Sequence, residues 1–131
     1  MPFPVEEKYI IDTEKELEVT FPKSFRIRMM KLNGGEIENE EVHWVFYPFF
    51  DKSDKKRISR TSNHIVYETK EARNRTGFPK DAVAIGKDDY GNQIIMRPKL
   101  FNKKKLREAI YFWNHEAGSI TRIAKIISEI R

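Results

Sequence analysis

The nine residues Val42 to Phe50 constrain the fold more than any other stretch of the chain. Read as extended backbone, they put Val42, Trp44, Phe46 and Phe50 on one face and His43, Val45, Tyr47 and Phe49 on the other. β-branched and aromatic side chains favour a pleated strand. Apolar groups on both faces mean that other elements cover this strand from both sides over part of its length. Pro48 has no N–H to give to a neighbouring strand, which predicts an edge or a bulge at that position.

Helices supply that cover. Residues 6–18 carry a short stripe of Ile10, Ile11, Glu14 and Leu17. Phe21-Pro22 opens a second helix, because proline's missing N–H has no partner in a first turn anyway. Phe21, Phe25, Met29 and Leu32 then recur with the 3.6-residue period, and Asn33-Gly34-Gly35 stops the run. Glu36 to Glu41 reads as an acidic connector and Asp51 to Arg60 as a basic turn. Residues 62–74 read as a helix capped by Ser62, with Ile65, Val66, Thr69 and Ala72 on the buried side, and Gly77-Phe78-Pro79 breaks it. Ala82 to Gly86 and Gln93 to Met96 form a hairpin around Asp88-Asp89-Tyr90-Gly91-Asn92. A basic connector from Arg97 to Arg107 leads to a third strand, Ala109 to His115. A last helix follows Gly118-Ser119, with Ile120, Ile123, Ala124, Ile127 and Ile130 on one stripe. The pattern predicts a single α+β domain over residues 1–131. Its central antiparallel sheet is flanked by N-terminal, middle and C-terminal helices.

The same residues leave little footing for catalysis. There is no cysteine, hence no disulfide scaffold, thiolate metal site or cysteine nucleophile. His115-Glu116 starts like a zinc-protease helix, but the position four residues on is Ser119, and Gly118 breaks the helix. His43 and His115 read as a structural pair facing each other across strands. Asp88 and Asp89 could hold a metal together, although acidic residues in a tight hairpin are mostly turn formers. No nucleophile elbow and no phosphate loop occur. The reading is a non-enzymatic chain with no cofactor and no metal. No run approaches the ~18 apolar residues of a membrane span, and no apolar run follows the first residues as in a signal peptide, so the expected location is the cytoplasm, without a membrane partner.

Three surfaces remain as binding candidates. The net charge of +5 is spread over mixed signs, with basic clusters at 52–60 (Lys52, Lys55, Lys56, Arg57, Arg60) and 99–107 (Lys99, Lys103, Lys104, Lys105, Arg107). If both lie at one end of the sheet they could contact phosphates; otherwise they keep the chain soluble. Neither cluster alternates aromatic with basic residues along its length, as single-strand binders do. The second surface is acidic: Glu36, Glu38, Glu40 and Glu41, with Asp88, Asp89 and Glu116. An acidic rim beside exposed aromatics suits a basic protein, charge speeding encounter and buried aromatics holding the complex. The third, Tyr111, Trp113 and His115, is either core or a binding face.

The order of these pieces resembles a family. Phe21-Pro22, Asn33-Gly34-Gly35, Trp44-Val45-Phe46-Tyr47-Pro48, Phe78-Pro79-Lys80-Asp81, Ala84-Ile85-Gly86-Lys87-Asp88, Gly91-Asn92 and Tyr111-Phe112-Trp113-Asn114-His115-Glu116 follow one another as in the SUKH superfamily. That superfamily holds fungal cell-wall-synthesis regulators and many small bacterial immunity proteins, and the likeness spans residues 10–130. It implies an α+β fold, no enzymatic activity, and binding of a cognate polymorphic toxin, commonly a nuclease. The net basic charge speaks against a nuclease target, since nuclease inhibitors are often acidic. The expected function is toxin neutralisation by occlusion of the toxin's active site, through Glu36, Glu38, Glu40, Glu41, Asp88 and Asp89, with Trp113 and Glu116 behind them. The alternatives are a nucleic-acid-binding module using the two basic loops, and a regulatory protein–protein adaptor.

Overall fold

A computed structural model describes residues 2–130. Four α-helices, α1 (Glu7–Leu17), α2 (Lys23–Lys31), α3 (Lys55–Arg60) and α4 (Ile65–Arg73), accompany six strands: β1 (Gly35–Glu38), β2 (His43–Phe46), β3 (Val83–Lys87), β4 (Gln93–Met96), β5 (Ile110–Trp113) and β6 (Ile120–Ala124). The strands form one antiparallel sheet in chain order, β1 to β6. The fold is α+β.

Such a meander has a simple consequence. The β1–β2, β3–β4 and β5–β6 turns all emerge at one end of the sheet, while the β2–β3 and β4–β5 connections emerge at the other. Both basic clusters belong to that second end, in residues 52–60 and 99–107. The turns at the first end carry Glu40, Glu41, Asp88, Asp89 and Glu116. A chain of modest net charge is thus strongly polarised from end to end.

Packing follows the apolar pattern closely over α2 and α4. Phe25 and Met29 are fully enclosed, with Phe21 just ahead of them, and Phe21, Phe25 and Phe49 meet ring to ring at 5.2–5.9 Å. On α4 the buried residues are Ile65, Val66, Thr69 and Ala72. Where β2 has left the sheet, the Thr69 hydroxyl accepts from the Ala84 N–H at 3.0 Å, so this buried N–H of β3 is not left unpaired. Beyond the last residue of α2, the Arg28 guanidinium donates to the carbonyls of Leu32 and Gly34 and holds the chain as it leaves the helix. Gly34 then turns the chain at φ +96°, and a Cβ there would stand 3.0 Å from the Phe46 carbonyl.

Several sequence expectations are corrected. The C-terminal helix is absent: Ile120–Ala124 is the last strand, followed by a short 3-10 turn at Ile127–Glu129. A register shift opposite Ile110 and Tyr111 sets Ile123 between the paired residues Arg122 and Ala124. This bulge produces an apparent helical spacing in a strand, and the β-branched Ile120, Thr121 and Ile123 favour the strand. The acidic connector is half strand, since Gly35–Glu38 pairs with β2. The basic turn contains α3, whose cap is the Asp54 side chain accepting from the Arg57 N–H. α4 is capped by His64, not Ser62. β2 is an inner strand that ends before Pro48, so the proline needs neither edge nor bulge.

Candidate functional site

Paired residues in an antiparallel sheet share a face. Gly35 pairs with Phe46, Ile37 with Trp44, Phe46 with Gly86, Gly86 with Ile94, Ile94 with Phe112 and Phe112 with Thr121. These residues therefore line one face. Its middle is sealed: Phe46 is buried beneath the Arg28 guanidinium, 5.1 Å from the ring centroid, and Ile94 is fully enclosed. Toward the acidic end the cover stops. Trp44 and Phe112, with the bulged Ile123, form the half-buried floor of a groove of about 490 Å³.

The groove walls are two turns. One is Glu38, Asn39, Glu40, Glu41, Val42 and His43; the other is Asp88, Asp89 and Tyr90. No lysine or arginine lines it. The first turn is fixed by Asn39, whose side-chain oxygen accepts from the N–H groups of Glu41 and Val42 at 2.8 and 3.0 Å. The second is fixed by Asp88: one carboxylate oxygen accepts from the Tyr90 and Asn92 N–H groups, the other from the Asn92 amide. Tyr90 projects from the rim, 79% exposed.

His43 ties the walls together. Its Nδ1 lies 3.0 Å from Asp89, and its Nε2 lies 3.6 Å from Glu36 and 3.9 Å from Glu38. The hydrogen bond to Asp89 pushes the imidazole pKa up, burial works against it, and the surrounding carboxylates add to the rise.

The candidates thus fall into distinct roles. Asp88 is consumed by its own turn, and Asp89, Glu36 and Glu38 surround His43. Glu40 and Glu41 are exposed and make no ion pair among the described residues. Glu116 is also exposed, but stands on the β5–β6 turn outside the groove. Trp113 is corrected outright. It is fully enclosed, stands edge-on to Phe78 at 5.1 Å, and donates its indole N–H to the Gly77 carbonyl at 3.2 Å. A strand residue paired with Gln93 faces the opposite side of the sheet from Phe112, and no partner can reach it.

His43 and His115 do not meet. His115 instead bonds the Asn92 side-chain oxygen at 2.7 Å, and the same oxygen accepts from the His115 N–H at 3.0 Å, clipping the β3–β4 turn to the β5–β6 turn. Sequence reasoning missed this clip, the His43 hub and the floor residues Trp44, Phe112 and Ile123. The alternating pattern marked Trp44 as a strand residue, but the register that sets it beside Phe112 is a tertiary fact. A larger hollow of about 620 Å³ lies around Gly34 and Gly35, and among the acidic candidates it touches Glu36 alone.

Fold and groove together define an α+β protein with an acidic, aromatic-floored groove at the turn end of a six-stranded meander. The chain belongs to the SMI1 / KNR4 family (SUKH-1), whose family model matches residues 4–130. No curated protein and no solved structure matches it.

Proposed function

We propose that this chain is a binding protein that neutralises a cognate toxin by seating a cationic segment of that toxin in the acidic groove. The observation that supports this most strongly is the groove itself: a half-buried apolar floor inside walls that carry carboxylates and one histidine but no lysine or arginine, on a chain whose net charge is positive. Membership in a family that holds immunity and regulatory proteins agrees with a binding role. In the proposed complex Trp44, Phe112 and Ile123 lose their remaining contact with water and supply the holding energy. Glu40 and Glu41 steer the partner and fix its register. The toxin stays inactive because the occupied segment, or the face around it, no longer reaches its substrate.

The test is functional. Proteins retained by the tagged chain are identified, and the candidate is expressed alone and with this chain. Growth arrest relieved by co-expression supports the reading, provided that relief is lost with Glu40→Lys/Glu41→Lys and with Trp44→Ala. Relief that persists in both variants refutes the groove as the contact.

A further inference from the structure

The opposite end of the sheet carries a second feature that the groove does not use. The β4–β5 connection folds back on itself: the Lys99 N–H donates to the Lys105 carbonyl and the Arg107 N–H to the Arg97 carbonyl, both at 2.8 Å. Its base is fastened to the segment between α1 and α2. The Thr20 N–H donates to the Lys104 carbonyl at 2.7 Å, the Leu106 N–H donates to the Thr20 carbonyl at 3.0 Å, and Leu106 itself is buried. On this anchored loop the tip presents Leu100 and Phe101, 63% and 98% exposed. Every residue from 99 to 105 is exposed. Lys103 pairs loosely with Asp81 at 3.8 Å, whereas Lys99, Lys104 and Lys105 have no carboxylate partner among the described residues.

Single exposed apolar residues are ordinary. An adjacent pair, held out on a fastened, convex tip and ringed by lysines, is not explained by solubility. The tip lies clear of a hollow of about 310 Å³ at the loop's base, which is lined by Lys99 and Lys105 but by neither Leu100 nor Phe101. It can enter a soft surface that closes around it, and the lysines call for negative charge at several points at once. An anionic lipid surface supplies both: headgroup charge for the ammonium groups, and the boundary with the acyl chains for the two side chains. Leu100 favours lipid over nucleic acid, because an aliphatic side chain offers no face on which a base can stack.

We infer that loop 97–107 docks the chain peripherally on anionic membranes, with Leu100 and Phe101 entering the interface and Lys99, Lys103, Lys104 and Lys105 lying on the headgroups. No helix among the described residues is long and apolar enough to cross a membrane; the proposed attachment is by the loop alone, in the surface plane. The groove turns emerge from the other end of the sheet, so a docked chain keeps its acidic groove facing solution. The inference is independent of the groove's partner.

Co-sedimentation of the full chain with vesicles tests it. Vesicles of phosphatidylcholine and phosphatidylglycerol in equal parts should retain the chain at low salt, and vesicles of phosphatidylcholine alone should not. Leu100→Ser/Phe101→Ser should weaken the partition at least about tenfold. Lys99→Ala/Lys104→Ala/Lys105→Ala should weaken it on the order of a hundredfold, at about fivefold per lysine. All these side chains are exposed, so both variants should melt at the parental temperature. Failure of the parent chain to sediment with mixed vesicles overturns the inference. So does a Leu100→Ser/Phe101→Ser variant that sediments as the parent does. Tighter binding to an oligodeoxythymidine than to vesicles, lost in Phe101→Ser and kept in Leu100→Ser, would assign the tip to single-stranded nucleic acid instead.

Discussion

Asn33 offers a sharp test of how the fold is held. Its side-chain oxygen accepts from the Phe49 N–H at 2.8 Å and its amide donates to the Phe49 carbonyl at 2.9 Å, so one side chain closes a loop of sixteen residues onto the end of α2. Asn33 is 6% exposed and Phe49 is fully enclosed, so these bonds are shielded from bulk water. Removing the side chain in Asn33→Ala leaves a buried donor and a buried acceptor, each costing about 1–3 kcal/mol. The sum of ~2–6 kcal/mol is a large share of the 5–15 kcal/mol typical of a folded domain, on the order of a third or more. With a urea slope of about 2 kcal/mol/M, the midpoint should fall by ~1–3 M at unchanged slope. Asn33→Asp keeps the acceptor but sets a carboxylate against the Phe49 carbonyl. It should be at least as damaging at neutral pH and partly relieved in acid, where the protonated carboxyl can donate again. Equilibrium urea unfolding followed by tryptophan fluorescence measures both. A midpoint shift under about 0.3 M for Asn33→Ala would refute the reasoning, since that is the scale of an ordinary surface substitution.

Other consequences are as direct. A Cβ at Gly86 would stand 2.7 Å from the Val45 carbonyl and 3.3 Å from the Phe46 Cα, so Gly86→Ala must push β2 and β3 apart. At about 1–3 kcal/mol for overpacking and about 3–5 °C per kcal/mol, a thermal melt should show a loss of ~3–15 °C. His43 and His64 should act on stability with opposite sign. The folded pKa of His43 is raised, chiefly by its bond to Asp89; its contribution is therefore complete below the unfolded value of ~6.5 and lost as pH rises through the folded value. The folded pKa of His64 is lowered by burial, and its Nδ1 caps α4 by accepting from the Tyr67 N–H; that contribution is present above ~6.5 and lost as pH falls through the folded value. In urea titrations between about pH 5 and 8.5, His43→Gln should flatten the decline on the alkaline side and His64→Gln the decline on the acid side.

Much of the fold was legible because local chemistry and global packing agree. Phe21, Phe25 and Met29 repeat with the helical period and are the residues buried. Asp88 to Asn92 read as a hairpin turn because Asp88 and Gly91 are turn residues, and Asp88 closes it with its own carboxylate. The errors have a common source. Ile120, Ile123 and Ala124 mimic a helix because one bulge shifts the strand's period, and α3 is too short and polar for periodicity to reveal, its Asp54 cap being the signal that was there to find. Candidate site residues were legible as charge but not as geometry. Sequence could list Glu40, Glu41, Asp88 and Asp89 together. It could not show that Asp88 is spent on its turn, that Asp89 is bound to His43, or that Trp113 faces away from the floor formed by Trp44 and Phe112.

Amide hydrogen exchange of this chain, alone and saturated with the partner that the tagged chain retains, tests the acidic groove most directly. The predicted result is new protection confined to residues 38–44, 88–90 and around Phe112 and Ile123, reduced in Glu40→Lys/Glu41→Lys at equal partner concentration. Protection that instead appears across residues 99–105, with the groove turns exchanging as in the free chain, would contradict it.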